Sequence, residues 1–116
     1  MTPSLTAPRG GHIPDPEQRD MALALANRTR LARARLKEEV HALPAPEGIA
    51  VVCEVVNSPP DYAEGMPVRV LVASILRWGD ARSQRLLRRA GVSHGRTFGG
   101  LTPRQRTALA EHLLDA

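Results

Sequence analysis

Residues Glu17 to Ala42 of this 116-residue chain contain neither glycine nor proline, and no separate stretch without them is as long. It is rich in Ala, Leu and Arg, which favour helices, and it would extend about 39 Å at 1.5 Å per residue. Asp15 suits the N-cap, Pro16 the first helical position, and Gln18 the capping-box position. We therefore predict one long helix over residues 15–42. Its apolar residues recur mostly every four positions, which predicts packing along one thin seam: Met21, Leu25, Ala32, Leu36 and Val40.

The segments on either side of this helix differ in character. Residues 1–14 are rich in Pro, Gly, Ser and Thr without a period, which is typical of a disordered tail. Residues 43–65 begin with two prolines that end the long helix. They then contain the apolar stretch Glu47 to Val56, whose β-branched residues are compatible with a strand. Spacing cannot separate a strand from a buried helix over so short a run.

From residue 66 to residue 116 the helical period is clear. Val68, Leu71, Val72, Ile75 and Leu76 lie on one helical face. Pro67 should start this helix, and Gly79 should end or turn it. A second helix follows over Ala81–Ala90, with Leu86, Leu87 and Ala90 inward, and Gly91 stops it. The capping box Thr102-Pro103-Arg104-Gln105 opens the last helix, which buries Leu109 and Leu113. The predicted fold is all-α: one long helix, then four shorter ones.

Charge is segregated along the chain. Between Met66 and Arg106 there are nine arginines and one acid, Asp80. The preceding stretch, Glu38 to Gly65, has six acids and no Lys or Arg, and Arg28 to Lys37 has five basic residues and no acid. A basic surface of this kind favours a polyanionic partner. With aromatic content of only 3%, stacking on single-stranded bases is disfavoured, and contact with the backbone of double-stranded DNA is favoured.

The turn at Gly79 is the centre of the predicted DNA-binding site. Backbone N–H groups at such a turn, with the helix that follows, suit a phosphate. Arginines flank it on both sides, and the glycine-rich loop with Arg96 leads to a second helix start of the same kind. The predicted DNA-binding residues are Arg77, Trp78, Gly79, Arg82, Arg85, Arg89, Arg96, Arg104 and Arg106.

Two parts of this prediction have an alternative. Trp78 is either an apolar wedge that kinks DNA in the minor groove or a cap on a small core. Arg30, Arg33 and Lys37 share one face of the long helix and form either a secondary DNA contact or a solvated surface.

Other classes of function find no support in the sequence. The four histidines are dispersed and none pairs with Cys53 at zinc spacing. Paired carboxylates are missing from the basic half, and no nucleotide-binding loop occurs. We expect no enzyme, no metal, no cofactor and no small-molecule substrate. Cys53 reads as an ordinary buried thiol. No apolar stretch reaches the roughly 20 residues of a membrane span, so we expect a cytoplasmic protein.

Four stretches together resemble the actinobacterial integration host factor, a nucleoid-associated family. They cover about three quarters of the chain, and their order and spacing carry the likeness rather than any single motif. They are Pro16-Glu17-Gln18-Arg19 with Leu36-Lys37-Glu38-Glu39-Val40, then Met66 to Leu76, then Gly79 and Gly91 twelve residues apart, then Arg96 with Gly100-Leu101 and Arg104-Gln105-Arg106.

The resemblance implies a long N-terminal helix resting on a small helix-two-turn-helix domain. It also favours a helix for Glu47 to Val56, a monomer, and binding of duplex DNA without catalysis. Gly79 matches the second glycine of the family hairpin, Arg96 the start of its basic loop, and Arg82 a basic position. The chain departs from the family pattern at five positions. Arg77 stands where the family has a glycine, Trp78 where it has a small apolar residue, and Asp80 where it usually has a lysine. Thr97 and Gly99 stand where arginine is frequent. It therefore resembles a divergent paralogue.

We accordingly expect an architectural, nucleoid-associated protein that binds double-stranded DNA with low sequence specificity. Two alternatives stay open at this stage. One is a structured-RNA or ribosome-associated protein, because helix-two-turn-helix modules also bind RNA. The other is a protein-interaction module whose arginines face an acidic partner.

Overall fold

The structure, a computed structural model, describes residues 15–116, so the predicted tail over residues 1–14 lies outside it. Five helices follow one another: α1 (Pro16–Ala42), α2 (Ala45–Asn57), α3 (Val68–Val72), α4 (Gly79–Arg89) and α5 (Pro103–Asp115). A 3₁₀ turn, Asp61–Ala63, lies between α2 and α3. The predicted all-α fold, with one long helix and four shorter ones, is confirmed.

The capping residues define the ends of α1, α4 and α5. Asp15 accepts a hydrogen bond from the Gln18 N–H at 2.8 Å, and Pro16 begins α1. At α5, Thr102 and Gln105 exchange the two bonds of a capping box. Gly91 follows α4 with a φ of 72°, where a left-handed residue ends the helix. The sequence signals at these three ends are confirmed.

One hydrophobic core is shared by all five helices. It contains Leu36 and Val40 of α1, the inward faces of α2 to α5, and Phe98 from the loop before α5. The middle segment is a helix, since α2 packs against both α1 and α5 and buries Val52 and Val56. Because the core spans the middle segment as well, the division of residues 43–65 from residues 66–116 stays a prediction.

The boundary between α3 and α4 differs from the prediction. The apolar period continues to Leu76, but α3 ends at Val72 and tighter turns lead on to α4. In these turns Ser74, Ile75 and Trp78 each donate to the carbonyl three residues earlier. Ile75 remains buried, so the apolar pattern correctly indicates which residues are buried, although the helix is not continuous. Gly79 is therefore the first residue of α4, two residues before the predicted start.

The predicted seam of α1 is only half correct. Leu36 and Val40 are buried, whereas Met21 is 67% exposed and Leu25 is 58% exposed. Every residue from Asp15 to Arg28 is exposed. The N-terminal half of α1 therefore extends past the core that holds its C-terminal half.

Two leucines of α5 provide a matched test of this packing. Leu109 is fully buried, whereas Leu114 is 69% exposed. Leu109→Ala should lower the free energy of unfolding by about 2–5 kcal/mol, because it removes buried methyl groups and leaves a cavity. Leu114→Ala should change it by no more than about 0.5 kcal/mol. Urea denaturation measures both, and equal effects would contradict the arrangement of α5.

Candidate nucleic-acid interface

The outer arginines of α4 line a concave surface with the end of α5. Burial of Leu86 and Leu87 fixes the rotation of α4. Arg82, Arg85 and Arg89 then face a pocket of about 290 Å³, which His112 and Asp115 complete from α5. We call this surface the α4/α5 pocket. Three guanidinium groups around one concavity suit phosphate oxygens, since each provides planar paired donors. The carboxylate of Asp115 offsets part of their positive charge.

Two of these pocket residues were not predicted. His112 and Asp115 stand more than twenty positions from the arginines in the sequence. No local pattern connects them to the arginines. The glutamine side chain of Gln105 donates to the Gly91 carbonyl, which ties the start of α5 to the end of α4. The rest of α5 then returns along α4 and brings His112 and Asp115 to the pocket.

The turn before α4 is left-handed at two positions. Arg77 has a φ of 69° and Gly79 a φ of 70°. Arg77 is exposed, and no side chain caps the start of α4. The first N–H groups of the helix therefore remain available to an anion, as the prediction requires. Asp80 lies in the same first turn, where its carboxylate occupies the favourable electrostatic field and opposes a phosphate.

Trp78 belongs to the core. Only 7% of its side chain is exposed, and the Arg82 guanidinium carbon lies 4.2 Å from its ring centroid. The structure thus favours the core-cap interpretation over the DNA wedge, because insertion would require the ring to leave its packing. The stacked ring also restricts the Arg82 side chain, which lowers the entropy that Arg82 loses when it binds an anion.

The arginine of the Gly-rich loop, Arg96, forms a hydrogen bond within the loop itself. Arg96 is half-buried and donates from Nη1 to the Gly100 carbonyl at 3.1 Å. Its backbone carbonyl accepts from the Val68 N–H at 2.9 Å, which joins the loop to the start of α3. The predicted contact of Arg96 with DNA stays a prediction, and the loop shape depends on the same side chain.

The Arg106 side chain is anchored to the backbone by two hydrogen bonds. One terminal nitrogen donates to the Val56 carbonyl at the end of α2, and the other donates to the Phe98 carbonyl at 3.0 Å. Two of its five N–H groups are therefore engaged with backbone. Arg104, two residues away, is exposed. Of the two arginines predicted at this helix start, the structure leaves Arg104 the more accessible to DNA.

The basic residues predicted on α1 line a second concavity. Arg30, Arg33 and Lys37 border a groove of about 710 Å³ between α1 and residues 66–70. We call it the α1 groove. Arg33 donates from Nε to the Tyr62 carbonyl at 2.6 Å, and Arg30 donates to the Asn27 side chain at 2.6 Å. The three residues are brought together, but in a different concavity from the α4/α5 pocket.

The described residues show no cluster of three or more His, Cys, Asp or Glu side chains that would hold a metal ion. Cys53 is half-buried, and burial raises the pKa of its thiol, so the less reactive protonated form is favoured at neutral pH. Over residues 15–116, no helix has the length and apolar character needed to cross a membrane.

Comparison with known proteins gives one informative result. No protein-family model matches the chain, and a search of curated proteins finds no match. Among solved structures, the chain is similar to one described as the structure of sIHF bound to an 8 bp palindromic DNA. The TM-score is 0.63 and the identity 24%, over 78% of this chain and 98% of that chain. At this identity the likeness establishes the fold, which is of the integration host factor type.

The left-handed turn predicts an unusual gain of stability. Arg77→Gly should raise the free energy of unfolding by about 0.5–1 kcal/mol, because glycine adopts a positive φ without the clash that a Cβ causes. Gly79→Ala is the converse change at the same turn and should lower it by about 1 kcal/mol. Thermal denaturation of both variants checks the signs, and a loss of stability in Arg77→Gly would contradict the turn.

The two arginines of α5 predict opposite behaviours. Arg106→Ala removes the side-chain donor to the Val56 carbonyl and one of the two donors to the Phe98 carbonyl, and should cost about 2–3 kcal/mol of unfolding free energy. Arg104→Ala should cost no more than about 0.5 kcal/mol. Urea denaturation separates them, and an Arg106→Ala protein as stable as the parent would show that Arg106 does not hold α2 and the loop together.

Proposed function

We propose that this protein is an architectural DNA-binding protein that contacts the phosphates of duplex DNA with low sequence specificity. The observation that supports this proposal most directly is the α4/α5 pocket, where Arg82, Arg85 and Arg89 face one concavity. All three are exposed. By contrast, Arg33, Arg96 and Arg106 donate to backbone carbonyls. The pocket arginines are thus exposed together around one concavity, whereas those three are tied to backbone.

The spacing of these arginines suits a nucleic-acid strand. On a helix, residues at i, i+3 and i+7 rise about 4.5 Å and 6 Å between successive positions, which is comparable with the distance between phosphates along one strand. Guanidinium–phosphate pairs fix position and orientation without reading bases. We expect low sequence specificity, because contacts to phosphates carry no sequence information.

The structural neighbour supports the same function. That protein has the fold described here and was solved with an 8 bp palindromic DNA. We infer that this chain is a divergent paralogue of the actinobacterial-type integration host factor and that it acts in the nucleoid of the cytoplasm without catalysis. Its hairpin retains the left-handed geometry at Arg77, the position where the family is expected to have glycine. The backbone of the turn is thus kept while an extra cation is added.

Replacement of the pocket arginines tests the proposal. Arg82→Ala/Arg85→Ala/Arg89→Ala should weaken binding of 30-base-pair DNA by two orders of magnitude or more, since each lost charge-assisted contact contributes about 1.5–3 kcal/mol. Far-UV circular dichroism should show unchanged helicity. If about six phosphates are neutralised, the parent's log affinity should fall with log salt at a slope near −5, and the variant's slope should be shallower by about 3.

A single-residue control lies on the same helix. Arg88 is exposed like Arg85 but lines a different depression, with Val92 and His94. Arg85→Ala should therefore weaken binding several-fold more than Arg88→Ala in the same titration. Equal losses would move the contact away from the pocket. Tighter binding to duplex RNA than to DNA would favour the structured-RNA alternative, and no binding to either at low salt would favour an acidic protein partner.

A further inference from the structure

We propose that His112 of α5 is a further phosphate-binding residue of the α4/α5 pocket, and that it binds phosphate in its protonated form. Its side chain lines the pocket together with the pocket arginines, Arg82, Arg85 and Arg89. The inference rests on the proposed function, because the phosphate is that of duplex DNA. It adds a consequence that the arginines alone do not have, which is an affinity for DNA that depends on pH.

The packing of α5 fixes the place of His112. Leu109 and Leu113 are fully buried, and their burial sets the rotation of α5 about its axis. His112 follows Leu109 by three residues and directly precedes Leu113, so it lies at the border of the buried face, where it is half-buried. The imidazole is therefore held beside the arginines of α4. It loses less side-chain entropy on binding than a fully exposed side chain would lose.

The charged groups around His112 come from two helices. The three pocket arginines line the pocket from α4, and the carboxylate of Asp115 lines it from α5. The helix α2 also packs on α5, but none of its residues is among the described residues that line the pocket. With a neutral imidazole, three positive charges and one negative charge give the pocket side chains a formal charge of +2. Protonation of His112 raises that charge to +3.

His112 and Asp115 have opposite effects on a phosphate. They are three residues apart in α5, so both lie on the same flank of the helix. The carboxylate of Asp115 repels a phosphate and has no proton to donate to it. Among the described residues of α5 that line the pocket, His112 is the one whose side chain can donate a hydrogen bond to phosphate oxygen. Any side-chain donor from α5 to a phosphate in this pocket is therefore the imidazole.

A bound phosphate favours the protonated imidazole. It adds negative charge beside the ring, and it excludes water, which strengthens the attraction between opposite charges. The protonated ring also has two N–H donors, whereas the neutral ring has one. Binding of phosphate therefore takes up a proton at His112. Because such coupling is reciprocal, a higher proton concentration strengthens the binding of phosphate.

The sign and the pH range of the effect follow from this coupling. Histidine is the side chain that ordinarily changes its charge between about pH 5 and pH 8, whereas arginine remains charged throughout. The affinity for DNA should be lowest near the upper end of this range and rise as the pH falls. It should level off once His112 is protonated in the free protein as well.

Titration of 30-base-pair DNA at constant ionic strength tests the proposal. Between about pH 8 and about pH 5.5, the affinity of the parent should rise about tenfold, because one charge-assisted contact is gained. His112→Gln stays neutral, so its affinity should match that of the parent near the upper pH and rise by less than about twofold. His112→Arg has a permanent charge, so at the upper pH it should already bind about as tightly as the parent does at the lower pH.

His94 provides the matched control. It is exposed and lines a different depression, together with Arg88. His94→Gln should therefore keep the full pH dependence of the parent. A parent affinity that does not change with pH would overturn the proposal, and so would a His112→Gln protein that keeps the pH dependence of the parent.

A measurement without DNA separates this inference from the proposed function. Addition of inorganic phosphate at about pH 7 should move the ring-proton NMR signals of His112 towards those of the protonated form, while the signals of His94 stay in place. DNA binding that is independent of pH, with no response of His112 to phosphate, would overturn the inference and leave the proposed function standing. Absence of DNA binding at every pH would overturn the proposed function, and the response of His112 to phosphate would still decide the inference.

Discussion

The burial of one face of α4 is the constraint on which the basic surface depends. Leu86 and Leu87 lie in the core, and the Ser83 hydroxyl donates to the Arg69 carbonyl of α3 at 3.2 Å. Those contacts fix the rotation of α4 about its axis. The arginines of the helix then divide into two sets: Arg82, Arg85 and Arg89 face α5, and Arg88 lies on the opposite flank. The same number of arginines on a helix free to rotate would form no defined pocket.

The helix ends were predictable because their causes are local. Proline and Thr102 or Asp15 act within four residues of the end that they define. The break between α3 and α4 was not predictable in the same way. α3 ends at Val72, and tighter turns lead from it to the left-handed Arg77. Arginine gives no sequence signal of a positive φ. The periodic apolar pattern continues through the break because Ile75 is buried although it lies in a turn and not in a helix.

The sequence predicted the basic surface of the candidate site but not the role of each arginine in it. A clustered arginine sequence indicates a basic surface, but it does not show which arginines the fold itself uses. Arg106 donates to a carbonyl fifty residues earlier, and Arg33 to one twenty-nine residues later. Such contacts are set by tertiary packing, and no spacing in the sequence encodes them. For the same reason the sequence alone shows His112 as a dispersed histidine, whereas the return of α5 along α4 places it at the pocket.

Arginine serves two physical roles in this protein. Near the core, guanidinium groups donate to backbone carbonyls of loops and of the end of α2, which lysine cannot do with the same fixed geometry. On α4 they face solvent as a set. The two roles are separated along the chain. Arg33, Arg96 and Arg106 donate to backbone carbonyls, whereas Arg82, Arg85 and Arg89 line the α4/α5 pocket.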